Sequence, residues 1–133
     1  VKAMEQIASG TATRTPQDES AATHTSMIRK DFGHIDWNKS AKEIERLIRG
    51  LNPWPSAYTH LDGKTLKIWK ATVSGTESGE KPGSIVDVTK DAILVQTGEG
   101  VLQLDEIQLE GKKRMACDAF LRGCHIEKGG YFA

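Results

Sequence analysis

Apolar positions recur along this chain with two different periods, and the change falls at the stretch LNPWPS, residues 51–56. Before it, in DWNKSAKEIERLIRGL (36–51), Ile44, Leu47, Ile48 and Leu51 stand three or four residues apart and share one face of a predicted helix. Ser40 and Glu43 have the spacing of a capping box, which starts the helix there. After it the period falls to two, predicting strands over 57–61, 64–73, 83–88, 92–96 and 101–109. Asp62-Gly63 and Gly98-Glu99-Gly100 supply hairpin turns, since glycine tolerates the positive φ of tight turns. A short helix over 116–121 follows the last strand.

Two strands break their own alternation. Leu66 and Ile68 share one face while Trp69, Ala71 and Val73 share the other, and Leu102 and Leu104 give way to Ile107 and Leu109. Both slips predict bulges or sharp bends. Short strands with bent members favour a small OB-like, Greek-key β-barrel, closed or partly closed, over a flat sheet. The fold class is therefore mainly β with short helices (α+β), the barrel being preceded by the amphipathic helix.

The change of period is abrupt because Pro53 and Pro55 each fix their own φ and push Asn52 and Trp54 out of helical space. The helix must stop, and Trp54 is held on a rigid corner, directed either into a core or against a neighbouring domain.

The first ten residues read as the last turns of a helix ending at Gly10, too short to stand alone. TATRTPQDESAATHTSM (11–27) has almost no large apolar residue and reads as a linker. With 38% apolar and 27% charged residues in 133, one globular domain is expected. Lys plus Arg equals Asp plus Glu at 18 each, so a nucleic-acid partner would have to be held by local patches rather than by the net charge. Only two cysteines occur, which points to a reducing, cytoplasmic setting, and no apolar run is long enough to span a membrane.

Lys112, Lys113 and Arg114 form the densest basic cluster, and residues 111–128 carry five basic and two acidic side chains. The run reads either as a phosphate-contacting patch or as a solvated loop. Lys64, Lys67 and Lys70 could extend the patch, although alternation puts Lys67 on the opposite face unless a bulge intervenes. Arg46 and Arg49, with Lys42 and Glu45, occupy the polar helix face, read either as solvated surface or as a contact for an anionic partner. Cys117, Cys124 and His125 match no common zinc spacing, and His24, His34 and His60 have no nucleophile or carboxylate arrangement beside them, so neither a metal site nor a catalytic set is assigned.

PQDES (16–20), Ala22-Thr23, HIDW (34–37), LIRGLNPWP (47–55), KIWKA (67–71) and EGKKRM (110–115) occur in this order at a spacing that resembles the C-terminal portion of the methionyl-tRNA formyltransferase family. The similarity covers essentially the whole chain. It implies that residues 1–10 are the tail of a Rossmann-like catalytic domain, 11–35 an interdomain linker, and 36–133 the C-terminal barrel domain that helps hold initiator methionyl-tRNA. The implied co-substrate, 10-formyltetrahydrofolate, is held in the family by the N-terminal domain, with a catalytic Asn, Asp and the His of a His-x-Ser-Leu-Leu-Pro motif. His24-Thr25-Ser26-Met27 lacks the Leu-Leu-Pro, so no catalytic role and no cofactor is transferred to this chain. Trp37, Pro53, Trp54 and Pro55 carry the structural part of the resemblance, which implies that the Pro-Trp-Pro corner sets the turn from the helix into the barrel, with Trp54 packed at that junction. Sugar-nucleotide formyltransferases share the acidic-tryptophan and Pro-Trp-Pro pieces, leaving a scaffold with no nucleic-acid role as the alternative. The GGYFA segment (129–133) receives no role.

Overall fold

A computed structural model describes residues 1–75 and 78–133; Thr76 and Glu77, in the polar loop expected between two strands, lie outside the described residues. Among the described residues three α-helices, α1 (Lys2–Ala8), α2 (Ala41–Gly50) and α3 (Cys117–Gly123), accompany six strands. These are β1 (Ala57–Leu61), β2 (Lys64–Ser74), β3 (Ile85–Val88), β4 (Ile93–Gln96), β5 (Val101–Leu109) and β6 (Met115–Ala116). The pairings between these strands are antiparallel, in the order β1-β2-β5-β4-β3, with β6 added to β5. Met115 and Ala116 pair with Ile107 and Glu106, so the last helix starts one residue later than the sequence suggests.

The capping box of α2 is complete: the Glu43 backbone N–H donates to Ser40 Oγ at 3.3 Å, and the Ser40 N–H donates to a Glu43 carboxylate oxygen at 3.1 Å. The Ser40 hydroxyl, which donates to the same carboxylate oxygen at 2.6 Å, and then the Ser40 N–H hold the Glu43 carboxyl below the usual carboxylate range. Ala41, Ile44 and Ile48 are buried in the same core cluster as Leu66, Ile68 and Leu104. Burying each isoleucine stabilises the packing by about 1.5–3 kcal/mol.

The two breaks in alternation are one paired irregularity. Ile68 faces Ile107, Lys70 faces Glu106, and Ala71 faces Leu104. Trp69 is thus the extra residue of β2, and Asp105 that of β5, one step apart. Inward positions move from Leu66 and Ile68 to Ala71 on one strand, and from Ile107 to Leu104 and Leu102 on the other.

Of the two expected forms the fully closed barrel is not the one observed, since among the described residues β1 and β3 do not pair with each other. Residues 129–133 span the gap instead. Ala133 exchanges two backbone bonds with His60 of β1, at 3.0 and 3.1 Å, while Ile85 of β3 receives a bond from Gly129 and donates one to Gly130, both 2.8 Å. Phe132, fully buried, stacks on Trp37 with ring centroids 5.8 Å apart. Trp37 Nε1–H donates to the buried Thr59 hydroxyl at 3.0 Å, and that hydroxyl donates to the Ala133 carbonyl at 2.7 Å.

The Pro-Trp-Pro corner differs from expectation. Both of its X–Pro bonds, Asn52–Pro53 and Trp54–Pro55, are cis. Trp54 is 59% exposed and does not enter the core; the buried residue of the corner is Ser56, at φ 69°. What packs at the corner is backbone: the Ser56 carbonyl lies so close to Gly33 that a Cβ there would stand 2.1 Å from the oxygen. The indole of Trp54 lies outside that contact. Trp54→Ala should change the unfolding free energy by about 0.5 kcal/mol or less, as surface substitutions do. A urea melt checks this, and a loss on the scale of a core aromatic would place the ring inside.

Ile35, assigned by sequence to the linker, is 1% exposed and its N–H bonds Tyr58 of β1 at 2.9 Å. Residues 1–32, α1 included, are exposed throughout.

Candidate nucleic-acid interface

Trp69, as the extra residue of its strand, turns away from the interior that Leu66 and Ile68 line and is half-buried on the outer surface. Its Nε1–H donates to Gln108 Oε1 at 3.2 Å, and Gln108 Nε2 in turn donates to the Lys112 carbonyl at 3.0 Å. The indole is thereby tied to the loop that carries the basic run. Lys67 lies on the same outer side, with Nζ 5.7 Å from the ring centroid. The bulge resolves the alternation problem: Lys67, Trp69 and Lys70 are brought to one region.

Arg114 stacks on Trp69, its guanidinium carbon 4.6 Å from the ring centroid, within cation–π range. Glu106 fixes that pose with two bonds, from Arg114 Nε at 2.8 Å and Nη2 at 2.6 Å. The Arg114 hydrogen bond holds the Glu106 carboxyl below its ordinary range, and the same bond raises the guanidinium. Arg49, paired with Glu45 at 3.2 Å, approaches from α2. Together with Asn52 and Lys70 these residues line a groove of about 310 Å³ between the flank of α2 and the bulged stretch of β2 and β5.

The sequence-predicted basic residues thus divide. Lys70, Arg49 and Arg114 line the groove, with Lys67 at the indole; Lys112 and Lys113 are exposed on the adjoining loop. Arg46 lines a different groove, with Phe32, His34 and Leu47, and Lys64 opens β2 at the hairpin away from the bulge. Sequence reasoning missed Trp69, Gln108 and Glu106 as members of this site. The signal for Trp69 was present: the slip in alternation falls on it.

His34, Tyr58 and His60 form a separate cluster with centroids 5.3–5.8 Å apart, and no side-chain hydrogen bond joins either His ring to an acid among the described residues. Cys117 is buried, which pushes its thiol up to about 11, so it is no nucleophile at neutral pH. No metal-ligating cluster occurs among the described residues, and no helix there is long and apolar enough to cross a membrane.

Residues 27–125 match the family described as formyl transferase, C-terminal domain. The chain belongs to that family. This formyl transferase C-terminal domain is 58% identical over 132 residues to methionyl-tRNA formyltransferase of Agathobacter rectalis, covering 99% of the chain and 43% of the relative. It is 52% identical to the enzyme of the same name from Lachnospira eligens, covering 97% of the chain and 42% of the relative. The chain thus spans less than half the length of either. Among solved structures, HypX from Aquifex aeolicus in complex with tetrahydrofolic acid superposes with a TM-score of 0.60 at 16% identity, over 96% of this chain and 25% of HypX. At that identity the likeness is one of fold.

Proposed function

We propose that this chain is the tRNA-positioning part of a cytoplasmic methionyl-tRNA formyltransferase, whose full-length form transfers a formyl group from 10-formyltetrahydrofolate to the amino group of methionyl-initiator tRNA. The single observation that carries the nucleic-acid role is the convergence of Lys67, Lys70, Arg49 and Arg114 on one outer groove beside Lys112 and Lys113, in a chain with no net charge. Cations gathered in this way engage phosphates, which set register and orientation without reading sequence. The relatives' shared name favours this reading over a sugar-nucleotide formyltransferase scaffold. The gap-spanned, coiled sheet is read as an OB-like module, a fold that presents such outer surfaces to nucleic acids. Following the same family resemblance, folate binding and chemistry are assigned to an N-terminal domain, with residues 1–10 as its tail and 11–35 as the connection.

The test is tRNA binding by this chain across a salt series, with wild type and a Lys67→Ala, Lys112→Ala, Lys113→Ala triple variant. If each lysine neutralises one phosphate, the log–log slope should fall by about 2–3 units, at roughly 0.7–0.9 per contact. Equal slopes would move the tRNA surface elsewhere, and the Arg46 groove is the next candidate.

A further inference from the structure

We propose that the Trp69–Arg114 stack is a seat for one unpaired nucleotide of an RNA, a reading that rests on the nucleic-acid role proposed above and assigns it a specific subsite. Both planar groups are fixed before any ligand arrives: the indole by Gln108, the guanidinium by Glu106. Two of the three guanidinium nitrogens are used by the carboxylate; Nη1 has no partner among the described residues and is left to donate. The Arg114 side chain is 43% exposed, so part of it remains open to a ligand. RNA-binding surfaces hold splayed bases on such aromatic and Arg planes, where stacking tolerates any base.

The cations around the stack fit a phosphate attached to that base. The groove and its rim bring Lys67, Lys70, Arg49 and Arg114 against two carboxylates, Glu45 and Glu106, both already paired, leaving an excess of two positive charges. A purely structural brace would account for Arg114 and Glu106, but it gives no reason for a half-buried tryptophan to face outward among lysines at the mouth of a groove. A regular duplex hides its base faces, so the seat takes a nucleotide from a single-stranded end or loop.

The test compares a mixed-sequence single-stranded RNA with a blunt duplex of equal length, at low salt, on wild type, Trp69→Ala, Trp69→Phe and Lys67→Ala. Trp69→Ala removes the surface that holds the Arg114 plane under the base and should weaken single-strand binding roughly 5- to 100-fold, the range for losing one stacking platform, with the salt slope unchanged. Trp69→Phe should stay within about threefold of wild type, and duplex binding should be unaffected by either. Lys67→Ala should instead lower the slope by about 0.7 for the single strand. Should Trp69→Ala fail to fold, a Trp54→Phe variant, whose other tryptophan besides Trp69 is the buried Trp37, should show fluorescence quenching on adding the single strand. Absence of quenching, or equal losses for single strand and duplex, overturns the seat. If tRNA binding with a salt slope persists while Trp69 is indifferent, only the seat fails; if wild type binds neither tRNA nor either RNA probe, the proposed function fails with it.

Discussion

Phe132→Ala should destabilise the domain by about 3–5 kcal/mol, the cost of removing a core aromatic that its surroundings cannot refill. Three structural facts place this residue, from a segment without long strands, among the core aromatics. Its ring is fully buried and stacked on Trp37. Its N–H donates to Gly83 at 2.9 Å, and Gly83, at φ 92°, admits the segment only because it lacks a side chain: a Cβ would meet the Phe132 carbonyl at 2.8 Å and the Tyr131 ring at 2.9 Å. Finally, the Trp37–Thr59–Ala133 hydrogen bonds run beside it, so a shift of the ring disturbs buried polar partners as well. Denaturant unfolding followed by far-UV circular dichroism reads the loss, and Phe132→Leu should recover part of it. A midpoint unchanged by Phe132→Ala would mean that the segment is not docked in solution.

Gly98→Ala should cost about 3 kcal/mol, the upper part of the range for forcing extra atoms into a packed site. Gly98 lies in the β4–β5 turn and donates its N–H to both Trp37 and Lys39 carbonyls, at 2.8 and 2.9 Å. The turn also accepts from the first residue of α2, through Ala41 N–H to the Glu99 carbonyl at 2.9 Å. A Cβ on Gly98 would stand 1.8 Å from the Asn38 carbonyl oxygen, a backbone atom held by the same contacts. The chain leading into α2 would have to move, taking Trp37 with it. Gly50→Ala is the control: it sits in α2 with open space around it, and should be neutral or stabilising by up to about 1 kcal/mol. Equal melting temperatures for Gly98→Ala and wild type would show that the turn does not dock on residues 37–41.

Local features were legible in the sequence wherever the signal lay within a few residues. The capping box of α2, its apolar stripe and the slips in β2 and β5 are each set by neighbours in the chain, and the strand bounds 57–61 and 101–109 are those observed. Non-local features were not legible. Proline geometry fixes the backbone at Trp54 but not what faces its ring, and the neighbour that the corner's backbone does meet, Gly33, lies more than twenty residues earlier. Closure by residues 129–133 depends on partners as far as 74 positions away, and a five-residue segment has too few positions to display a period. At the candidate interface, the count of basic residues was visible but their division was not. Arg114 is committed to Glu106, and Arg46 and Arg49, one turn apart, face different grooves.

The paired irregularity in β2 and β5 also constrains how this domain can change length. Residues 68 and 71 of one strand are three apart, as are 107 and 104 of the other, so the two excess residues cancel and Val73 still faces Leu102. Deleting Trp69 alone, or Asp105 alone, would shift half of the ladder by one residue and turn one strand's inward side chains outward. Deleting both would leave a regular ladder with Leu66, Ile68, Ala71 and Val73 opposite their present partners, at the loss of the outward-turned indole. Gaps at these two positions should therefore arise together in a lineage or not at all, and a lineage that lost them would keep the core while giving up the surface built on Trp69.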